Sequence, residues 1–305
     1  MKKTFLFILF SFFAHNTYAL TADTDGDGIT ETVYVCNGNM VCIMESTGQV
    51  RTYSSPYWGN ISIPKVSNTD SDGAIEVIVL SVIGSSYSPY VSVIHDTTRA
   101  VNTYSSPYWG TIAITNVEDT DGKAGNEIVV LSTKTSPSVT VIRDASRNQR
   151  VYTSSYWWGT IAITHVADTD AKAGKEIVIL ASSVSGSPSI SVIRDSSEQQ
   201  YQYDDPYWGT IAINAVKDTD GNAGAEIVVV YVNSAGKGIT TIRDRYLTRR
   251  HYSFSDVSTF AILGVNDYDI APGNEICTLW TRGTSVGYDL VIDSEETRRT
   301  VTHCG

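Results

Sequence analysis

Basic residues are scarce in this chain of 305 residues: 22 Lys and Arg stand against 33 Asp and Glu, a formal net charge of −11. A nucleic-acid partner requires a basic surface, so that class is excluded, and metal cations or neutral ligands fit better. Methionine is nearly absent, at three positions, and charged residues make up only 18% of the chain, whereas there are 18 Tyr and 23 Gly. That balance belongs to short strands and tight turns rather than helices. Long hydrophobic runs are also missing. The longest, Phe5 to Phe13, is nine residues, too short for a hydrocarbon core of about 30 Å, which excludes a membrane-spanning helix. Catalytic signatures are lacking too. The five histidines, His15, His95, His165, His251 and His303, show no metal-ligand pairing at helical or hairpin spacing, and there is no G-x-S-x-G and no phosphate-cradling glycine loop. No catalytic residue is assigned, and an enzyme is not expected. What the chain does have is 42% hydrophobic and 10% aromatic content, enough for a large core and too much for a disordered segment or a disulfide-stapled mini-protein.

The first residues read as a secretory signal. Lys2 and Lys3 precede the apolar run, and Thr17-Tyr18-Ala19 places small residues at a cleavage site. Residues 1–19 are the expected leader; cleavage after Ala14 is the alternative. Loss of the two lysines takes the formal charge from −11 to −13. The product is expected to be secreted or periplasmic, an oxidising setting in which the four cysteines can pair. Cys36 and Cys42 flank an Asn-Gly turn and make the simplest hairpin disulfide, leaving Cys277 with Cys304. Three connectivities are open, and two of them would tie Cys304 to the first repeat.

A nine-residue acidic loop then recurs six times: DTDGDGITE at Asp23 to Glu31, NTDSDGAIE at Asn68 to Glu76, DTDGKAGNE at Asp119 to Glu127, DTDAKAGKE at Asp168 to Glu176, DTDGNAGAE at Asp218 to Glu226, and DYDIAPGNE at Asp267 to Glu275. Starts are 45 to 51 residues apart. The period of a repeat protein is read this way. One period contains Thr160 to Val166, the loop, Ile177 to Ser182, Ser189 to Asp195 and Gln199 to Tyr203, four β-rich segments separated by turn residues. The middle segments are almost wholly apolar, so they need packing on both faces. Radial four-stranded sheets supply it. The expected fold is all-β, a six-bladed β-propeller of four-stranded antiparallel blades, one domain over 20–305 with repeats at about 20–54, 55–104, 105–153, 154–203, 204–253 and 254–305.

The pattern of a strand, D-x-D-x-D-G-x-x-E and an apolar strand resembles the FG-GAP and VCBS-type repeats of integrin-alpha-like propellers. It is specific in the first two loops and looser in the later four, where the glycine moves and Lys123, Lys172, Asn222 or Ala271 takes the fifth position. The resemblance implies the propeller fold and structural calcium, not one activity. Calcium takes about six to eight oxygens, and three loops carry the fullest sets: Asp23, Asp25, Asp27 and Glu31; Asn68, Asp70, Asp72 and Glu76; and Asp218, Asp220, Asn222 and Glu226. In the third and fourth loops the lysine can pair with its neighbouring aspartates instead. Asp and Asn at these spacings also form Asx turns that need no ion. Nineteen of the 33 acidic residues lie at the first, third, fifth and ninth loop positions, so the net charge is largely a property of the loops.

A second repeat precedes each inner strand: PYWG at Pro56 to Gly59 and Pro107 to Gly110, YWWG at Tyr156 to Gly159, and PYWG at Pro206 to Gly209. Asp256, Val257 and Ser258 replace it in the last repeat. Tyr57, Trp58, Tyr108, Trp109, Trp157, Trp158, Tyr207 and Trp208 are the candidate ligand contacts, since such rings stack on sugars and anchor proteins. The competing role is a wedge between sheets, with the tyrosines more exposed than the tryptophans. A third repeat sets Asp96, Asp144, Asp195, Asp244 and Asp293 at the third strand's end, where a turn-forming role is expected, with Arg143, Arg194 and Arg243 before three of them as exposed ion pairs. The expected function is an exported, calcium-stabilised binding module that recognises a glycan or an extracellular protein on one face. A polysaccharide-processing propeller and a structural scaffold are the alternatives.

Overall fold

The computed structural model describes residues 19–84, 88–183, 185–234, 236–254, 256–268 and 271–304. The leader to residue 18, and Asp269 of the sixth loop, lie outside the described residues. Six four-stranded antiparallel sheets form in sequence order, each a meander of consecutive strands. Three short 3-10 turns are the helical elements among the described residues. The molecule is an all-β, six-bladed β-propeller.

Blade four shows why the sequence folds this way. Its strands are Ile161–Ala167, Glu176–Ser182, Pro188–Arg194 and Gln199–Tyr203. Ile177, Val178, Ile179, Ile190, Val192 and Ile193 of the middle strands are all fully buried. Both pleat faces are therefore covered, which β-branched side chains tolerate well. The first strand breaks its alternation at a bulge, Thr164, which lies between residues paired with Ile179 and Val178. Its hydroxyl donates to the Val178 carbonyl at 3.2 Å, and Thr115 repeats this in blade three. Blade one has a shorter first strand, Leu20–Ala22, paired with Glu31 to Val33.

The contacts group the chain into two units, one comprising residues up to Val66 with Gly73–Thr103, the other Ser67–Asp72 with the remainder from Tyr104. In the smaller unit, Val33, Val41 and Ile43 of blade one pack with Trp58, Val77 and Val79 of blade two. In the larger, Val129 and Val141 of blade three pack with Trp157 and Ile177 of blade four, Trp208 packs likewise between blades four and five, and Phe254 is buried in the cluster shared by blades five and six. Both disulfides form: Cys36–Cys42, with Cα atoms 5.8 Å apart, and Cys277–Cys304, at 6.1 Å. They are compatible with an extracellular or periplasmic location. Among the described residues no helix is long and apolar enough to cross a membrane.

Candidate functional site

A meander places its first and third turns at one end of a blade and its second turn at the other. Each blade therefore has an acidic end, with the nine-residue loop and the turn after the third strand, and an opposite end with the aromatic step and the second hairpin.

At the acidic end each loop is closed from within. The ninth-position glutamate accepts the backbone N–H of the second residue: Thr24 to Glu31 at 2.7 Å, Thr120 to Glu127 at 2.7 Å, Thr169 to Glu176 at 2.6 Å, Thr219 to Glu226 at 2.7 Å and Tyr268 to Glu275 at 2.7 Å. Asx turns supply the rest. Asp23 accepts from Gly26 and Gly28, Asp119 from Gly122 and Asp168 from Ala171. The third-position Asp121, Asp170 and Asp220 each accept the amide two residues on, and Asp70 accepts that of Asp72. Burial drives Glu127, Glu176 and Glu226 up to about 7, against the lowering effect of those backbone bonds and helped by the neighbouring aspartates.

The loops are also laced to one another. The eighth-position amide donates to the first-position carbonyl of the preceding blade: Ile75 to Asp23, Asn126 to Asn68, Lys175 to Asp119, Ala225 to Asp168 and Asn274 to Asp218, at 2.8 to 3.0 Å. In the later loops the seventh position also approaches the backbone of the preceding loop, which requires glycine there. Gly174 has φ +91°, and a Cβ there would lie 2.7 Å from the Thr120 carbonyl oxygen, so only glycine fits.

The recurring aspartates are not merely turn formers. Their carbonyls do close the turns, as in Glu198 N–H to Asp195 at 3.1 Å, but their carboxylates are buried and bind the blade before. Asp96 accepts from Thr24 and Tyr53 and pairs with Arg51. Asp144 accepts from Thr69 and Tyr104. Asp195 takes Thr120, Tyr152 and Arg143; Asp244 takes Thr169, Tyr203 and Arg194; Asp293 takes Thr219, Tyr252 and Arg243. Burial, and the carboxylate beside each ring, push the five tyrosines far above their usual value. Arg143, Arg194 and Arg243, expected as exposed pairs, lie inside this clamp, and each also reaches the third-position aspartate of its own blade: Asp121 at 3.3 Å, Asp170 at 3.3 Å and Asp220 at 2.9 Å. The sequence signal for the clamp was the threonine at the second loop position, which is buried in loops one to five.

Several of these clusters could hold a metal ion. Ligand oxygens of Asp23, Asp25 and Asp27 lie within 4.8 Å of one another, as do those of Asp119, Asp121 and Glu127, of Asp168, Asp170 and Glu176, and of Asp218, Asp220 and Glu226. Loop one carries no lysine, although Arg51 shares Asp25 at 3.0 Å; Glu31 stands outside that cluster, engaged with Thr24. Lys123 and Lys172 lie 3.2 Å from Asp121 and Asp170. In loop five the Asn222 amide nitrogen lies 3.5 Å from the Asp220 carbonyl. Of loop two, Asn68 accepts from Ser71 and Glu76 is buried. The donor sets are all hard oxygens, and one Glu176 carboxylate oxygen is buried without a hydrogen-bond partner, so the chemistry suits a hard divalent cation.

The aromatic end separates its two ring types. Trp58, Trp109, Trp157 and Trp208 are interior residues, which corrects the expectation that they present a ligand face. Their indole N–H groups donate to Ser92, Thr140, Ser191 and Thr240 at 2.8 to 3.1 Å. The residue before each is turned out: Tyr57 is 45% exposed, Tyr108 52%, Tyr156 43% and Tyr207 56%. One capped turn makes this alternation, because Ser55, Ser106, Ser154 and Asp205 accept the tyrosine amide with their side chains. Blade four differs. Trp157 follows Tyr152 by the five residues that separate Tyr53 from Trp58, but Gly159 then comes one residue late. The extra residue is Trp158, 56% exposed. Tyr156, outside the candidate set, is the outward tyrosine of that blade; counting from the preceding tyrosine rather than from the glycine would have found it.

No family model matches the chain, and no curated protein matches it. Among solved structures it is similar to the exotype rhamnogalacturonan lyase YesX at 11% identity and a TM-score of 0.35, covering 93% of this chain and 64% of that one. It is also similar to a Synechocystis ACO mutant, at 12% and 0.34 over 94% and 72%, and to the WD40 domain of SCAP from fission yeast, at 8% and 0.35 over 93% and 73%. These loose likenesses add nothing about the site. The class of protein is defined by its own six sheets.

Proposed function

We propose that this chain is an exported β-propeller binding module of the FG-GAP and VCBS kind, stabilised by calcium at its acidic end and recognising a glycan at its aromatic end. The observation that carries the reading is the outward tyrosine that recurs at one step of four blades, beside a tryptophan already spent on packing. A ring held by a side-chain-capped turn is ordered in advance, which lowers the cost of binding. Charge supports a neutral partner: the steps at Tyr57 and Tyr156 contain no ionisable group other than the tyrosines, only Ser, Thr, Pro and Gly beside the rings, whereas at Tyr108 the Lys134 ammonium reaches the Pro107 carbonyl at 2.7 Å.

Calcium would be structural. Asp23, Asp25 and Asp27 form the loop best suited to it, with Asn68, Asp70, Asp72 and Glu76, and Asp218, Asp220, Asn222 and Glu226, as the further sets by sequence. The ion would supply positive charge to crowded carboxylates. Saturation by such ligands leaves no open position for chemistry, in line with a binding role.

The test is a glycan array probed with the full secreted chain and with Tyr57→Ala, Tyr108→Ala and Tyr207→Ala. The expected result is lost binding at an unchanged melting temperature. A wild-type chain that binds no glycan, or variants that melt earlier while still binding, would overturn the reading, and capture of a protein partner alone would favour the adhesive alternative.

A further inference from the structure

Blade four differs from its neighbours by a single inserted residue, and that residue is an indole in solvent. Trp157 fills the interblade wedge completely, at 0% exposure, so Trp158 is not needed for packing. The chain directly after it is pinned. Gly159 N–H donates to the Ser182 carbonyl at 3.0 Å, and a Cβ on Gly159 would fall 2.6 Å from the Ser182 hydroxyl and 2.8 Å from the Ser183 carbonyl. The backbone that carries Trp158 therefore meets the second hairpin of the same blade at the next residue.

That hairpin carries a run of neutral hydroxyls. Ser183 and Ser185 hydroxyls lie 2.7 Å apart, Ser185 and Ser187 hydroxyls 3.3 Å apart, and the Ser187 amide donates to Ser183 at 3.2 Å. Thr160 and Ser182 hydroxyls meet at 2.9 Å. Each hydroxyl both donates and accepts, so the chain can exchange its internal bonds for those of another polyhydroxyl without stranding a buried group. Residues 153–160 and 182–188 contain no Asp, Glu, Lys, Arg or His. The corresponding hairpins of blades three and five carry Lys134 and Lys237, which donate to the backbone of the aromatic end.

We propose that blade four holds the principal sugar subsite of the aromatic end, with Trp158 as the stacking platform for a neutral pyranose ring and the Ser183, Ser185 and Ser187 hydroxyls as its hydrogen-bond partners. The ligand class follows from the chemistry. A flat apolar face beside neutral hydroxyls matches a ring with axial C–H groups and equatorial hydroxyls. An anionic sugar would find no cation there.

The inference rests on the glycan reading above, and the experiment separates the two. The full chain, Trp158→Ala, Ser185→Ala and Tyr108→Ala are titrated against immobilised neutral glucan, mannan and xylan and against anionic polygalacturonate, with melting recorded for each. Binding of the wild type to a neutral polymer is expected, weakened about tenfold or more by Trp158→Ala at unchanged melting, with a smaller loss for Ser185→Ala. A wild type that binds none of the four polymers overturns the glycan reading and the subsite together. Binding that survives Trp158→Ala but falls with Tyr108→Ala overturns the subsite alone, and so does preference for polygalacturonate.

Discussion

Replacing Asp244 by asparagine tests whether the buried carboxylates hold neighbouring blades together. Asp244 is fully buried and receives Thr169 at 3.0 Å, Arg194 at 2.9 Å and the Tyr203 hydroxyl. An amide keeps the shape but has one acceptor oxygen and no charge, so at least one of these donors loses its partner. Breaking a buried ion pair from one side costs about 3 to 5 kcal/mol. Arg194 keeps Asp170 at 3.3 Å, which places Asp244→Asn near the low end, about 3 kcal/mol. Tyr203→Phe removes one charge-assisted bond, about 2 kcal/mol. At roughly 2 °C per kcal/mol for a chain this long, the melting temperature falls by about 6 °C and about 4 °C respectively. Because both changes remove the same bond, Tyr203→Phe should cost under about 1 kcal/mol in the Asp244→Asn background. Urea unfolding and calorimetry of the two single variants and the double variant measure this. A shift below about 1 °C for Asp244→Asn, or strict additivity in the double variant, would refute the clamp as a stabilising device.

Two further outcomes follow from the acidic loops. In chelator, burial raises Glu127, Glu176 and Glu226 to about 7, above the ordinary 4.5; the folded state then holds more protons between those values, so the contribution of these three groups to stability is full below pH 4.5 and is lost as pH rises through 7. Calcium that holds them ionised would flatten that slope, and identical pH profiles with calcium and with chelator would remove the ion from these loops. Gly174→Ala should cost more than about 2 kcal/mol, from its φ of +91° and the Thr120 carbonyl at 2.7 Å; Ala171→Gly, at φ +61° where Gly122 and Gly221 stand in the neighbouring loops, should not destabilise, and thermal melts of both check the pair.

The blades were legible because their signal is local. The acidic loop fixes the turn between first and second strands, and runs such as Glu176–Ser182 declare a strand covered on both faces. What escaped the sequence lies between segments far apart in the chain. Arg194 sits at the end of a strand, where an isolated blade would leave it in water; it is buried only because Asp244, fifty residues later, brings a carboxylate and Thr169 and Tyr203 satisfy the rest of it. The same distance effect split the aromatic step. The PYWG motif shows two adjacent rings, but which one faces inward depends on the Ser92, Thr140, Ser191 or Thr240 hydroxyl, more than thirty residues on, that receives the indole. In blade four the glycine suggested that Trp157 was the tyrosine equivalent, whereas Ser191 binds Trp157 and leaves Trp158 outside. A side chain fixed within its own turn can be read from a repeat; Arg194 needs the register of the next blade and Trp157 that of the third strand of its own blade, and a one-residue insertion moves the second of these without changing the motif.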